Sequence, residues 1–482
     1  PLRQQSDIIL IDLRGTGFSK PSLCPNLGNS FLEILAKNQS KEQDEKDKIS
    51  AALECKSDLI QRGINLSAYN SNSISNDLNA LKVALNIKKW NVYGVSYGTY
   101  AAQVYATLFP QDISSMILDS PISDIANYYD KNTYNYVKSL NLLFQKCREN
   151  YSCSQEYPDL ERIYYEAIQK LKNNPITVKV DKSVISNCEF TYNAEDFKIA
   201  IQQSLYQRKL IEILPMLIYE FNGGNEGVLS NLVAAFSGAL ALDYGTYYCV
   251  TCSETIPMNS IIKFDSIAKQ CPKLVGGLSF YKSDYIVCLN WNISTDSTNI
   301  NWDVFKDIPI ILFSGDFDPI TPSKNAKEIV YLSENAILVE FPTYGHGSSF
   351  SKIGKKVVQQ FISNPKNVDL DQDKLKRDIQ FITDISINKG VAKFAECLNK
   401  PDLIFLAPLC LASMVLLGIS LSYIFSLLRN YKKIDFNNRL LRITMILTVF
   451  FGLGFILNLI FSVIITVNFN FYILAFGLLN TY

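Results

Sequence analysis

Histidine is almost missing from this chain: its 482 residues include one, His346. A metal site built on several histidines is therefore excluded, and any chemistry that needs an imidazole must use that residue. Net charge is missing too. Lysine and arginine together number 46, as do aspartate and glutamate, so no basic excess favours a nucleic-acid partner. Cys249-x-x-Cys252 has no second Cys-x-x-Cys and no nearby histidine to complete a zinc site. No internal repeat is present, and no metal or cofactor is expected.

What is present is unevenly distributed. Up to about Lys400 the chain reads as an ordinary globular protein. Beyond it, Leu403–Leu428 and Ile443–Val467 are uncharged apolar runs, each long enough to cross a bilayer, and two transmembrane helices are expected. Between them Arg429, Lys432, Lys433, Arg439 and Arg442 face Asp435 alone. The positive-inside rule puts that loop in the cytoplasm and the N-terminal part outside it, whether periplasmic, extracellular or lumenal. Phe469–Leu479 is apolar but too short for a third span.

An outward location agrees with the cysteines. Cys24, Cys55, Cys147, Cys153, Cys188, Cys249, Cys252, Cys271 and Cys288 precede the apolar runs and should be mostly paired in an oxidising compartment. Closeness in sequence favours Cys24–Cys55 and Cys147–Cys153, with an odd cysteine left over or joined to Cys397. Glycosylation sequons begin at Asn38, Asn65, Asn150 and Asn292.

Asp7–Leu13 (DIILIDL) reads as a buried parallel strand followed by a glycine-rich turn. Lys41–Arg62 reads as a polar helix, and Ser75–Leu85 as a helix capped by Ser75. Strands are expected at Trp90–Val95, Ser115–Leu118, Ile308–Phe313 and Ala336–Phe341, with helices through Leu108, over Ser323–Leu332 and over Ser351–Ile362. This alternation predicts a parallel α/β sheet. It breaks between Ile122 and Trp302, where tyrosine- and asparagine-rich helical segments predict an inserted cap. The expected organisation is core over 1–121, cap over 122–302, core over 303–366, connector over 367–402, membrane hairpin over 403–467 and an apolar tail over 468–482.

Gly94-Val-Ser96-Tyr-Gly98 matches G-x-S-x-G just after an expected strand. Alone, the match is equally a glycine-serine turn. Its context makes it a candidate nucleophile elbow, in which a tight strand-to-helix turn exposes the serine Oγ. Asp316, Asp318 and His346 lie in turns after later strands, and turns of this kind gather at the carboxyl edge of a parallel sheet. The order Ser, Asp, His is that of the α/β-hydrolases. Serine needs an adjacent base, imidazole can shuttle its proton, and a carboxylate orients the ring. Ser96, Asp318 and His346 are the candidate triad, and Asp318 is preferred to Asp316 because two prolines fix its Asp-Pro-Ile-Thr-Pro turn.

With DLRGTGFS at Asp12–Ser19, KKWNVYGVSYGTYAAQVYATLFP at Lys88–Pro110, SGDFDPITP at Ser314–Pro322 and YGHGSS at Tyr344–Ser349, the chain resembles the serine peptidase family of proline iminopeptidase and tripeptidyl aminopeptidase, the latter more closely. The resemblance covers most of Ser6 to about Lys366. It implies exopeptidase activity on peptide N-termini, a cap that restricts access and reads the free amine, and the aspartate before proline, Asp318, as the triad acid. The N–H of Tyr97, which follows the nucleophile, is the expected oxyanion donor. The family's His-Gly-Gly-Pro-Gly-like turn, which supplies a second donor, has no counterpart here, nor do the strands that precede it. The chain is therefore expected to be a fragment of a longer one, and one lost donor costs about a hundred- to a thousandfold in rate. The expected function is a membrane-anchored serine aminopeptidase acting on peptide substrates. The alternatives are a membrane-tethered esterase or lipase-like hydrolase, and a non-catalytic hydrolase-fold scaffold or inactive fragment.

Overall fold

The computed structural model describes residues 6–383 except 124, 126, 127, 241, 275, 292, 296, 297, 372–374, 376 and 377, together with residue 3 and scattered positions between 407 and 425. The chain divides into two compact units, Pro1–Thr383 and Asp384–Tyr482. The expected membrane spans, the apolar tail, Cys397 and the end of the connector lie outside the described residues, those scattered positions aside. Among the described residues no helix is long and apolar enough to cross a membrane.

Among the described residues of the first unit six strands form: β1 (Trp90–Val95), β2 (Ile113–Asp119), β3 (Ile176–Lys179), β4 (Glu189–Tyr192), β5 (Ile310–Gly315) and β6 (Ala336–Phe341). Four of them make the central sheet, in the order β1-β2-β5-β6 and all parallel. Alternate residues of these strands enter two apolar layers. Met116, Leu118, Ile310 and Leu312 pack with Ala102, Tyr105 and Ala106 of helix Tyr97–Leu108 and with Ala326 and Ile329 of helix Ser323–Leu332. Ile117, Ile311, Phe313, Val339 and Phe341 pack against Val357, Val358 and Phe361 of helix Lys352–Ser363. Burial on both faces is why β2 and β5 read as nearly continuous apolar runs.

Register sets where the strands end. Val95 lies opposite Asp119, Asp119 opposite Phe313, and Gly315 opposite Phe341. The turns after β1, β2, β5 and β6 therefore open at one edge of the sheet.

The insertion is mostly helical, with the antiparallel pair β3–β4 as its one sheet among the described residues. Its core also takes in residues that precede β1. Leu27, Phe31 and Leu32 of helix Leu27–Leu35 and Ala52 and Leu59 of helix Lys41–Gln61 join the same apolar cluster. Lys48 of the second helix is buried. Its ammonium pairs with Asp284 at 2.9 Å and lies 3.7 Å from the centre of the Phe280 ring.

The structure corrects three sequence expectations. Residues 7–13 form no strand: Leu10 is 91% exposed, and no strand among the described residues lies beside the segment to complete a hydrogen-bonded ladder. The helix expected from Ser75 begins at Ser71. Asn70 caps it by accepting the Ser73 N–H at 2.8 Å, while Ser75 donates back to the Ser71 carbonyl in the second turn. Cysteine pairing reaches further than sequence proximity indicates. Cys24–Cys55 and Cys147–Cys153 form as expected, but a third bond joins Cys252 to Cys288, and among the described residues Cys188, Cys249 and Cys271 are free. Packing of the turn Thr251–Thr255 on helix Ser279–Trp291 brings the third pair together.

Replacing both Cys252 and Cys288 by alanine should lower the unfolding free energy by about 2–4 kcal/mol, read from chemical denaturation, since the bond closes a 36-residue separation. A non-reduced peptide map should link Cys252 to Cys288. Cys249 should resist alkylation until the protein unfolds, because burial pushes its thiol up to about 12.

Candidate active site

The site is built where the parallel strands end. Ser96 follows β1 and opens helix Tyr97–Leu108 with φ 56 and ψ −125, a backbone conformation that is strained for a serine. The close turn explains Gly94: a Cβ there would overlap the Gly98 carbonyl and the Thr99 N–H. Gly98 itself faces open space, so only the first glycine of the motif is sterically required. The Ser96 carbonyl is held by the Thr99 hydroxyl at 2.6 Å and the Thr99 N–H at 2.9 Å. Tyr97 is the first helical residue, and a helix start leaves such an N–H without an intrahelical acceptor. The Tyr97 N–H, the expected oxyanion donor, thus lies next to the serine along the chain.

Asp318 follows β5 and is fully buried. Its Oδ1 accepts the N–H groups of Ile320 at 3.0 Å and Thr321 at 2.9 Å, and its Oδ2 accepts the Thr321 hydroxyl at 2.7 Å. The remaining partner of Oδ2 is Nδ1 of His346, at 2.7 Å. His346 follows β6 in the glycine turn, and its side chain is 14% exposed. An ionised Asp318 can only accept, so Nδ1 carries the proton and Nε2 of the neutral ring keeps its lone pair. Asp316 makes no such contact and lies near Glu340, Lys327, Lys138 and Lys146.

No hydrogen bond joins Ser96 to the imidazole among the described residues. Bonds of this kind often tighten only when substrate is bound.

Electrostatics agree with the pairing. Burial opposes the charged forms of both groups, but each is the other's strongest compensation. Asp318 is held below the ordinary carboxylate range, helped by the Thr321 and Ile320 amides. His346 is held above its ordinary value by Asp318 and, more weakly, Asp119. The depressed carboxylate stabilises the fold above its unfolded pKa, a contribution lost as pH falls through its folded one. The raised imidazole stabilises it below its unfolded pKa, a contribution lost as pH rises through its folded one.

The sequence reading missed several neighbours. Asp119 and Ser120 end β2 at the same edge. The Ser349 N–H donates to Asp119 at 2.9 Å, the Ser349 hydroxyl also donates to Asp119, and the Gly347 N–H donates to the Ser120 hydroxyl at 2.9 Å. Their position just after the expected strand Ser115–Leu118 was the available signal. From the insertion comes Glu254, 1% exposed in the π-helical turn Thr251–Thr255. Its carboxylate accepts the N–H and hydroxyl of Ser71, at 2.5 and 2.9 Å, and lies 3.5 Å from the hydroxyl of Tyr97. No local pattern marks it. A separate cavity of about 710 Å³ opens by Cys147, Arg148, Tyr165 and Lys273, and no triad residue lines it.

A parallel sheet with a strained serine turn after one strand, and a paired acid and histidine after two later ones, defines the α/β-hydrolase fold. Residues 1–150 match the family described as alpha/beta hydrolase fold, and residues 277–373 match the family described as TAP-like protein. The tripeptidyl aminopeptidases of Streptomyces lividans and Streptomyces coelicolor are each 32% identical over 120 residues, which is 24% of this chain and 22% of theirs. The putative hydrolase YuaR of Escherichia coli is 28% identical over 193 residues, 39% of this chain and 37% of that one. The chain thus matches well under half the length of these relatives. Among solved structures, the α/β hydrolase MGS-M2 from a Medee basin deep-sea metagenome library has 15% identity and a TM-score of 0.29, covering 63% of this chain and 74% of its own.

Because the chain has one histidine, its imidazole titration is a single NMR curve. The midpoint should lie above 6.5, and Asp318→Asn should lower it. A midpoint at or below 6.5 in the parent protein would contradict the ion pair.

Proposed function

We propose that this chain is a serine hydrolase of the aminopeptidase kind, releasing amino acids or short peptides from peptide N-termini. The observation that carries the reading is the 2.7 Å Asp318–His346 pair at the same sheet edge as the strained Ser96 turn. Ser96 Oγ attacks the scissile carbonyl while Nε2 of His346 takes its proton and passes it to the leaving amine. Asp318 fixes the ring and stabilises the imidazolium, and the Tyr97 N–H faces the developing oxyanion. Water then resolves the acyl-enzyme by the same steps in reverse.

Two observations favour a peptide N-terminus as substrate. One is the similarity to tripeptidyl aminopeptidases. The other is Glu254, a buried cap carboxylate by the side chain of Tyr97, which offers a negative partner for an α-ammonium group. The apolar runs 403–428 and 443–467, and the basic loop between them, support an anchored enzyme whose hydrolase domain lies outside the cytoplasm. Three disulfides are consistent with that location.

A fluorophosphonate probe should label Ser96 in the full chain, as mapped by mass spectrometry, and Ser96→Ala should abolish both labelling and turnover. Absence of labelling on folded protein would refute the hydrolase reading. Since the base must be neutral, kcat/KM should rise with pH through a midpoint above 6.5. Glu254→Gln should weaken kcat/KM for free-amine peptides by roughly ten- to a hundredfold, the worth of one charge-assisted contact. N-acetylated peptides and simple esters should be unaffected by that change. Equal losses on all three substrates would remove Glu254 from amine recognition, and efficient ester turnover without any peptide turnover would favour an esterase.

A further inference from the structure

The loop that carries His346 is gripped from two directions. On the sheet side, Ser120 holds Gly347 and Asp119 holds Ser349. The other grip comes from the cap, at the turn between helix Ala194–Ser204 and helix Arg208–Gly223. The carbonyl of Tyr206 in that turn accepts the N–H of His346 at 2.9 Å. The Tyr206 ring lies against the imidazole, with centroids 5.1 Å apart and planes at 53°. One residue earlier, Gly345 meets the same turn so closely that a Cβ would overlap the carbonyls of Leu205 and Tyr206. One residue earlier again, Arg208 donates to the Tyr344 hydroxyl at 2.9 Å and sits 4.7 Å from the centre of its ring. Glu212 fixes that guanidinium at 3.0 Å.

Three consecutive residues of the histidine loop, Tyr344, Gly345 and His346, are therefore each seated on the cap turn 205–208. A lid that only screened the substrate would have no need to bond the backbone of the base. Asp318 fixes one nitrogen of the ring, but rotation about that bond and translation of the loop would still move Nε2. A carbonyl on the His346 N–H and an aromatic wall beside the ring restrict both. We propose that the cap positions the base, and that Tyr206 is a positioning residue that sets where Nε2 points. The inference rests on the serine-hydrolase reading for its catalytic consequence, but the seating of the imidazole can be tested without turnover.

The test compares Tyr206→Phe, Tyr206→Ala and Arg208→Ala in the full chain, with the parent's fluorophosphonate labelling as the control for the hydrolase reading. Tyr206→Phe keeps the ring and the carbonyl, so its kcat should stay within about twofold of the parent. Tyr206→Ala should lose roughly ten- to a hundredfold in kcat with KM nearly unchanged, because a misplaced base slows the chemical step without weakening binding. Its His346 imidazole resonances should shift, because the aromatic ring beside them is gone and the side chain is less confined. Arg208→Ala removes the Tyr344 contact and the Glu212 pair while leaving the Tyr206 ring and carbonyl in place, and should show the same split at roughly three- to tenfold.

A Tyr206→Ala protein with the parent's melting temperature, kcat and imidazole resonances would overturn the proposal. If that variant does not fold, Arg208→Ala decides: unchanged kcat together with unchanged imidazole resonances overturns it. If the parent itself fails to label, the hydrolase reading fails on its own. The imidazole resonances of the variants then still decide whether the cap turn seats His346.

Discussion

The Asp318 carboxylate is the constraint from which the site is built. It is buried without water contact, a placement that is costly for a charge unless every lone pair is used. Here Ile320, Thr321 and His346 supply four donors. Removing one partner from such a buried pair typically costs about 3–5 kcal/mol, because the other charge is left uncompensated. The need to satisfy this one carboxylate fixes the turn after β5 and draws the turn after β6 towards it. The Asp318 carbonyl is itself held by the Ser139 hydroxyl of the cap at 3.2 Å, so the constraint extends into the insertion.

The parallel register converts that local requirement into a site. β1 ends level with β2, β5 level with β6, and β5 two residues beyond β2, so a residue that follows β1 and residues that follow β5 and β6 emerge at one edge. β2 lies between β1 and β5, and its end supports the histidine loop, through Asp119 on Ser349 and Ser120 on Gly347. Ser120 adopts φ 55 to do so, which makes it, after Ser96, a second strained serine at the same edge.

How much of this was legible in the sequence depends on distance along the chain. Ser96, Asp318 and His346 each sit in a local context, a glycine or proline turn after an apolar run, and local context is what sequence patterns report. Cys24–Cys55 and Cys147–Cys153 were legible for the same reason. Cys252–Cys288, Tyr206 and Glu254 were not, because each acquires its partner through helix packing across the insertion, and no periodicity encodes that. Residues 7–13 failed in the opposite way: DIILIDL has the composition of a buried strand, but a strand also requires a neighbour, and composition cannot supply one. Ser75 was a plausible cap by residue type, yet Asn70 caps the helix, since either side chain can accept an amide hydrogen and only the backbone path chooses between them.

The cap and the sheet edge are joined directly, by Ser139 on the Asp318 carbonyl and Tyr206 on the His346 N–H. The larger apolar cluster lies in the insertion, and helices that precede β1 complete it. Asp284 locks those parts together. It accepts from Lys48 at 2.9 Å, from Tyr247 at 2.9 Å and Tyr248 at 3.0 Å, and from Tyr129. A carboxylate satisfied by a buried ammonium and three phenols tolerates little rearrangement, because any movement leaves a buried polar group unpaired. The helices on which the turn 205–208 is mounted are tied to the sheet edge separately, through Tyr206 on His346 and Arg208 on Tyr344. A cap bonded to the histidine loop in this way suits the proposed seating of His346.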